Sequence, residues 1–218
     1  MKTLRSGLLA FVLLAVCRAT QAQTTIVSYS FENTLTPTIG SALSALTWNS
    51  GGSEGYATVF ASQGQSLSVG GFQSGEYYQL TLNATGYRNI ILNSFRSNGT
   101  GSAPLNWKIS YSTTGASGIF ADAFNYTLST ATAVPSTTIA GISLPSAANN
   151  NSSLVLRFIA TSPTRLDGNP AAANGTVRLD NLSLIATAIP EPSTFAAVLG
   201  VVALSGLLIR RRRLRRVS

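Results

Sequence analysis

The 218-residue chain has no histidine, one cysteine and few charged side chains, which make up 10% of the total. Without imidazole there is no Ser-His-Asp or Cys-His nucleophile, no His-based zinc site and no histidine general base. One cysteine forbids an internal disulfide and any metal cluster held by several thiolates of one chain. Acids are scarcer than bases, 7 Asp and Glu against 15 Lys and Arg, for a formal net charge of +8. That excess raises nucleic acid as a partner, and the distribution of charge excludes it. Lys2, Arg5, Arg18, Arg210, Arg211, Arg212, Arg213, Arg215 and Arg216 sit at the two ends, nine of the fifteen. Between Thr24 and Pro190, six cations (Arg88, Arg96, Lys108, Arg157, Arg165, Arg178) meet six anions (Glu32, Glu54, Glu76, Asp122, Asp167, Asp180). A neutral middle region has no basic stripe with which to displace counterions from a phosphate backbone.

The ends read as addresses. Lys2 and Arg5 precede an eleven-residue apolar run from Gly7 to Cys17, and the small residues Thr20 and Ala22 follow two apart. A basic head, a short apolar run and a small-x-small site predict a secretory signal peptide over residues 1–22, cleaved after Ala22. At the other end, Pro190-Glu191-Pro192 precedes an uncharged apolar run and then the arginine cluster. Residues 193–209 number seventeen, the lower limit for a membrane-spanning helix. Arg210, Arg211, Arg212, Arg213, Arg215 and Arg216 would hold a cytoplasmic tail, 210–218, on the inner side. The prolines around Glu191 keep that segment out of helix and sheet, so it is expected to be an extended strip open to a processing enzyme.

This three-part tail, over residues 188–218, resembles the PEP-CTERM sorting signal of Gram-negative, biofilm-forming bacteria. The resemblance implies exosortase as a partner, an inner-membrane-anchored precursor, cleavage near the motif, and delivery to the cell surface or extracellular matrix.

Between the addresses, residues 24–187 are rich in Ser, Thr, Asn, Gly and Ala, with short β-branched and aromatic runs between turn residues. The pattern predicts an all-β domain. Candidate strands are Thr25–Phe31, Thr58–Gln63, Gln65–Val69, Tyr77–Asn83, Asn89–Arg96, Asn106–Thr113, Phe124–Ser129, Thr137–Leu144, Ser153–Thr161 and Thr176–Ala186. Trp107, Ile109 and Tyr111 alternate with Lys108, Ser110 and Ser112, which predicts one wet face. Val155, Arg157 and Ile159 alternate with Leu154, Leu156 and Phe158, a strand buried on most of both faces. No segment of the middle region carries a long 3.6-residue period, and no fixed-length repeat suggests a solenoid or propeller. The fold expected is a two-sheet antiparallel β-sandwich of jelly-roll type, preceded by the signal helix and followed by one transmembrane helix.

Tyr111-Ser112-Thr113-Thr114-Gly115 and Leu179-Asp180-Asn181-Leu182 are similar to motifs in ectodomains that accompany this tail. The early Phe31-Glu32 with the late Asp180-Asn181 is similar to galactose-binding-like jelly rolls found in many carbohydrate-binding modules. That resemblance implies adjacent first and last strands, with Glu32 and Asp180 as ligands of a structural calcium ion. Calcium needs six to eight oxygens, so carbonyls and water would complete the shell, and no other cofactor is implied. The competing role for Asp180 is pairing with Arg178 or Arg157, or capping a turn.

Glycoside hydrolysis would need two carboxyl groups across a cleft, and Glu54 and Glu76 stand in the best loop contexts for it. Nothing else supports catalysis, and a non-enzymatic protein is expected. Trp48, just before Gly51-Gly52, is the candidate aromatic platform for a sugar ring, and Trp107 reads as core. The reading is an exported structural or adhesive component of an exopolysaccharide matrix. The alternative is a carbohydrate-binding module contacting extracellular polysaccharide, with a glycan hydrolase behind both.

Overall fold

The computed structural model describes residues 22–40, 44–58, 64–130, 137–170, 175–190, 200 and 203–206. Among the described residues, twelve strands form two sheets stacked as a sandwich, antiparallel in all but one pairing. They are β1 (Gln23–Tyr29), β2 (Ser44–Trp48), β3 (Glu54–Ala57), β4 (Ser66–Phe72), β5 (Tyr77–Leu82) and β6 (Tyr87–Gly99). Then come β7 (Asn106–Ser112), β8 (Ala121–Thr127), β9 (Ser129–Thr130), β10 (Thr137–Ser143), β11 (Leu154–Ala160) and β12 (Gly175–Ala188). The seven-stranded sheet runs β10-β6-β12-β4-β3, with β1 added to β12 and the two-residue β9 to β6 in parallel. The five-stranded sheet runs β2-β5-β11-β7-β8. The described part of the domain has only one 3-10 turn, Ser146–Ala148.

Alternation decides which side chains meet between the sheets. Tyr78, Leu80 and Leu82 of β5 and Leu154, Leu156, Phe158 and Ala160 of β11 are buried inward. In β12 the inward set changes phase, from Val177 and Leu179 to Leu182, Leu184 and Ala186. The change falls at a bulge where Asn181 takes φ 50. One extra residue there keeps both halves of a fourteen-residue strand facing the core. A chain of ring contacts crosses the interior, from Phe72 on one sheet to Tyr78 and Trp107 on the other, then through Tyr126 to Phe95 and Phe158. Tyr78 is fully buried and its hydroxyl donates to the Val177 carbonyl at 2.8 Å, tying the five-stranded sheet to β12.

Several expectations need correction. β2 and β3 lie where loops were expected, and β8 begins at Ala121 rather than Phe124. Of the expected strand Thr58–Gln63, Thr58 is irregular and the rest lies outside the described residues. The wet face expected on β7 is covered, with Ser110 and Ser112 each 1% exposed.

The chain divides after Ala188 into a second unit, Ile189–Ser218. There Pro190 is irregular and residues 203–206 are helical and exposed. Glu191, Pro192, all six terminal arginines, most of the expected spanning helix and all of the expected signal segment except Ala22 lie outside the described residues. No helix among the described residues is long and apolar enough to cross a membrane.

Tyr78→Phe keeps the ring packing and strands the Val177 carbonyl, so it is expected to cost about 1–3 kcal/mol. Phe158→Ala opens a cavity and is expected to cost about 3–5 kcal/mol. Urea unfolding of the two variants measures both, and a neutral Tyr78→Phe would contradict the inter-sheet tie.

Candidate functional site

The outer face of the five-stranded sheet carries a row of polar side chains across every strand. Register places Thr47 opposite Gln79, Gln79 opposite Arg157, Arg157 opposite Ser110, and Ser110 opposite Asp122. At ~4.8 Å per strand spacing, the row is roughly 19 Å long. Cross-strand bonds link its members: Arg157 Nε donates to Gln79 Oε1 at 2.9 Å and Ser110 Oγ to Asp122 Oδ1 at 2.7 Å. Lys108 Nζ lies 2.9 Å from Asp122 Oδ1 and donates to Oδ2 at 3.0 Å. The Ser110 hydroxyl and then Lys108 hold the Asp122 carboxyl below the usual carboxylate range. It is therefore ionised at neutral pH and already engaged.

The segment 113–120 packs against the end of β7 at Ser112. It is tied down by Asn151 Nδ2 donating to the Thr113 carbonyl at 2.9 Å and Gly115 N–H donating to the Ser153 carbonyl at 3.1 Å. Gly118 permits the close approach, since a Cβ there would fall 2.6 Å from Ser112 Oγ. The segment ends on Phe120, whose ring meets the Arg157 guanidinium, with Cζ 4.0 Å from the centroid. The Tyr77 ring meets the same guanidinium at 4.1 Å, and Arg157 Nη2 donates to the Ala116 carbonyl at 2.9 Å. Arg157 is thus held by two rings and two hydrogen bonds at the middle of the face. Ile119, next to Phe120 in sequence, is 92% exposed.

Glu32 and Asp180 are brought together. After β1, Phe31 and Asn33 both take left-handed backbone, φ 56 and 57. Phe31 stacks on Tyr29, ring centroids 5.4 Å apart, and is fully buried. Glu32 turns back so that Oε2 accepts the Gln65 N–H at 3.0 Å, over Gly64 with φ 78. Asp180, 1% exposed, accepts from the backbone and side-chain amides of Asn181 at 2.8 and 3.0 Å. Burial pushes its carboxyl up to about 6, the Asn181 N–H and Arg96 pull it down, and Glu32 repels it. Two mutually repelling carboxylates suit a hard dication in charge and donor type. Among the described residues no third His, Cys, Asp or Glu joins them, so the remaining oxygens would have to be carbonyls and water.

The other candidates are engaged elsewhere. Trp48 is half-buried, edge-on to Tyr78 with centroids 6.4 Å apart, and its N–H donates to the Gly52 carbonyl at 3.0 Å. Trp107 is in the core, as read from the sequence. Glu54 opens β3 in the seven-stranded sheet, and Glu76 lies in the turn between β4 and β5. Glu54 accepts the Tyr56 hydroxyl, and Glu76 accepts the Gln73 N–H at 2.6 Å in the turn before β5. Sequence reading missed Tyr77, Gln79, Phe120 and Arg157 as a group, although the polar positions at 79, 110 and 157 within alternating strands carry part of the signal.

No family model and no curated protein matches the chain. Solved structures do. The chain is similar to the N-terminal CBM22-1–CBM22-2 tandem domain from Paenibacillus barcinonensis, with 20% identity and a TM-score of 0.52, over 79% of this chain and 49% of that one. It thus spans about half the length of the tandem. The CBM22-1 xylan-binding domain of the same organism matches at 19% identity and TM-score 0.49, over 79% of this chain and 100% of that one. The K1 cleaved adhesin domain of Lys-gingipain from Porphyromonas gingivalis matches at 16% identity and TM-score 0.45, over 77% and 99%. The tandem carries the fold assignment, a two-sheet sandwich like that of CBM22.

In chelator, the raised Asp180 carboxyl binds a proton in the folded state between about pH 4 and 6, where the unfolded chain has lost it. Stability therefore rises as pH falls from about 7 toward 4 through this group. Asp180→Asn should remove that contribution, read as a flatter dependence of the urea midpoint on pH. An unchanged slope would contradict it.

Proposed function

We propose that the sandwich is a non-catalytic carbohydrate-binding module that contacts an extracellular polysaccharide through the outer face of its five-stranded sheet. The observation that carries this reading is the accessible part of the polar row, Thr47, Gln79, Arg157 and Asp122, with the Tyr77 and Phe120 rings set beside its centre. Aromatic rings present apolar faces to the C–H faces of sugars, and hydrogen-bonding side chains fix hydroxyls beside them. Thr47, Gln79 and Arg157 lie on three adjacent strands, which suits a chain of a few sugar rings. The fold likeness to a carbohydrate-binding tandem supports the same reading.

The tail places this module. Under the same proposal, the signal peptide exports the chain and the membrane retains the precursor through residues 193–209. Exosortase then cleaves near Pro190, Glu191 and Pro192 and delivers the domain to the cell surface or exopolysaccharide matrix. An adhesive matrix role then follows from polysaccharide binding.

Affinity electrophoresis of the full chain in non-ionic detergent, against soluble xylans and bacterial exopolysaccharides, tests the module. Retardation by at least one polymer is expected, with Tyr77→Ala weakening it about tenfold or more. No retardation by any polymer would overturn the reading. Mass determination of the mature C-terminus tests the tail. Wild type should end near residue 190, and the Pro190→Ala, Glu191→Ala, Pro192→Ala triple variant should stay full-length in the membrane fraction. An intact tail in both would contradict exosortase processing.

A further inference from the structure

Arg157 occupies a position that a mere surface cation would not. It is the middle residue of β11, Leu154–Ala160, and β11 is the middle strand of the five-stranded sheet. Its guanidinium is fixed by the Tyr77 and Phe120 rings, at 4.1 and 4.0 Å, and by the Gln79 and Ala116 oxygens, both at 2.9 Å. These contacts remove the rotamer freedom that normally makes an exposed arginine a poor anchor.

The charge itself is left without a counter-ion. Among the described residues the ion pairs are Lys108–Asp122 and Arg165–Asp167, and neither includes Arg157. Asp122, the acid that shares the polar row with it, is taken by Lys108 and Ser110. A guanidinium has five N–H donors, and Nε and Nη2 each have one accounted for by Gln79 and Ala116. The fork has the planar geometry that pairs with a carboxylate through two parallel bonds. Two aromatic rings cover its faces, and the lower local dielectric they create strengthens the attraction to an anion.

We infer that the polysaccharide recognised by this face is acidic, and that Arg157 binds the carboxylate of a uronic acid unit. Gln79 and the rings hold the guanidinium in place for it. The inference rests on the reading of this face as a polysaccharide-binding surface and adds the charge class of the ligand. Neutral xylan would meet a pre-set cation with nothing to neutralise it.

The test compares matched polymers on the unaltered full chain in non-ionic detergent: glucuronoxylan and polygalacturonate, each beside its carboxyl-reduced form, by titration calorimetry at low and moderate salt. At least one native polymer should bind about tenfold or more tighter than its reduced form, and the gap should shrink with salt. In Arg157→Gln the ratio should fall to about one. Arg157→Lys, which keeps the charge and loses the fork, should restore only part of it. Equal affinity for native and reduced polymers would overturn the acidic ligand and leave the binding module standing. A full preference persisting in Arg157→Gln would overturn the role of Arg157. Absence of binding to any of the four polymers would overturn the acidic ligand. If neutral and bacterial polymers also failed to retard the chain, the module reading would fall with it. The wild-type comparison needs no variant, so a misfolded substitution does not shelter the proposal.

Discussion

The whole sandwich depends on how β12 satisfies its backbone. A buried strand must pair its N–H and C=O groups on both sides. One side of β12 is met by β6 along nearly its full length. The other is shared in series, β4 against Gly175–Leu179 and β1 against Leu182–Thr187. The handover falls at Asp180–Asn181, where the left-handed Asn181 shifts the phase of the strand. That one residue turns both apolar halves inward. It also leaves Asp180 buried at the junction where the turn after β1 delivers Glu32.

From this spine the second sheet takes its alignment. The Tyr78 hydroxyl reaches the Val177 carbonyl, and Phe72 packs between Tyr78 and Trp107. With β5, β11 and β7 held in register against the core, their outward residues stand in rows. The row through Arg157 is therefore a consequence of packing on the opposite side of the same strands. The segment 113–120 then packs on Ser112 through Gly118 and brings Phe120 to the guanidinium. Core and outer face are two readouts of one register.

Much of this was legible before any coordinates. The period-2 runs of β5, β7, β11 and β12 announced themselves through alternating aliphatic and aromatic residues, and Trp107 as core followed from that alternation. The turn chemistry separated them correctly. β2 and β3 are not legible, because Ser44-Ala45-Leu46-Thr47-Trp48 and Glu54-Gly55-Tyr56-Ala57 are short edge strands in which Ser, Ala, Glu and Gly dilute the few strand-favouring residues. The proximity of Glu32 to Asp180 was expected from resemblance. The Arg157 assembly is not legible in the sequence, since Tyr77, the segment carrying Ala116 and Phe120, and Arg157 come from three separate places in the chain. Local pattern says which face a side chain takes and nothing about which distant loop will lie upon it. The same limit applies to Trp48, whose neighbours Asn49 and Ser50 look like solvent and whose ring is turned against Tyr78.

The central claim is that a polysaccharide occupies the outer face of the five-stranded sheet. The most direct measurement is amide and side-chain NMR of the full chain in detergent during titration with a binding oligosaccharide. The account predicts shifts confined to Tyr77, Gln79, Phe120, Arg157 and their neighbours. Shifts centred instead on the seven-stranded sheet, or at the Glu32–Asp180 junction, would contradict it.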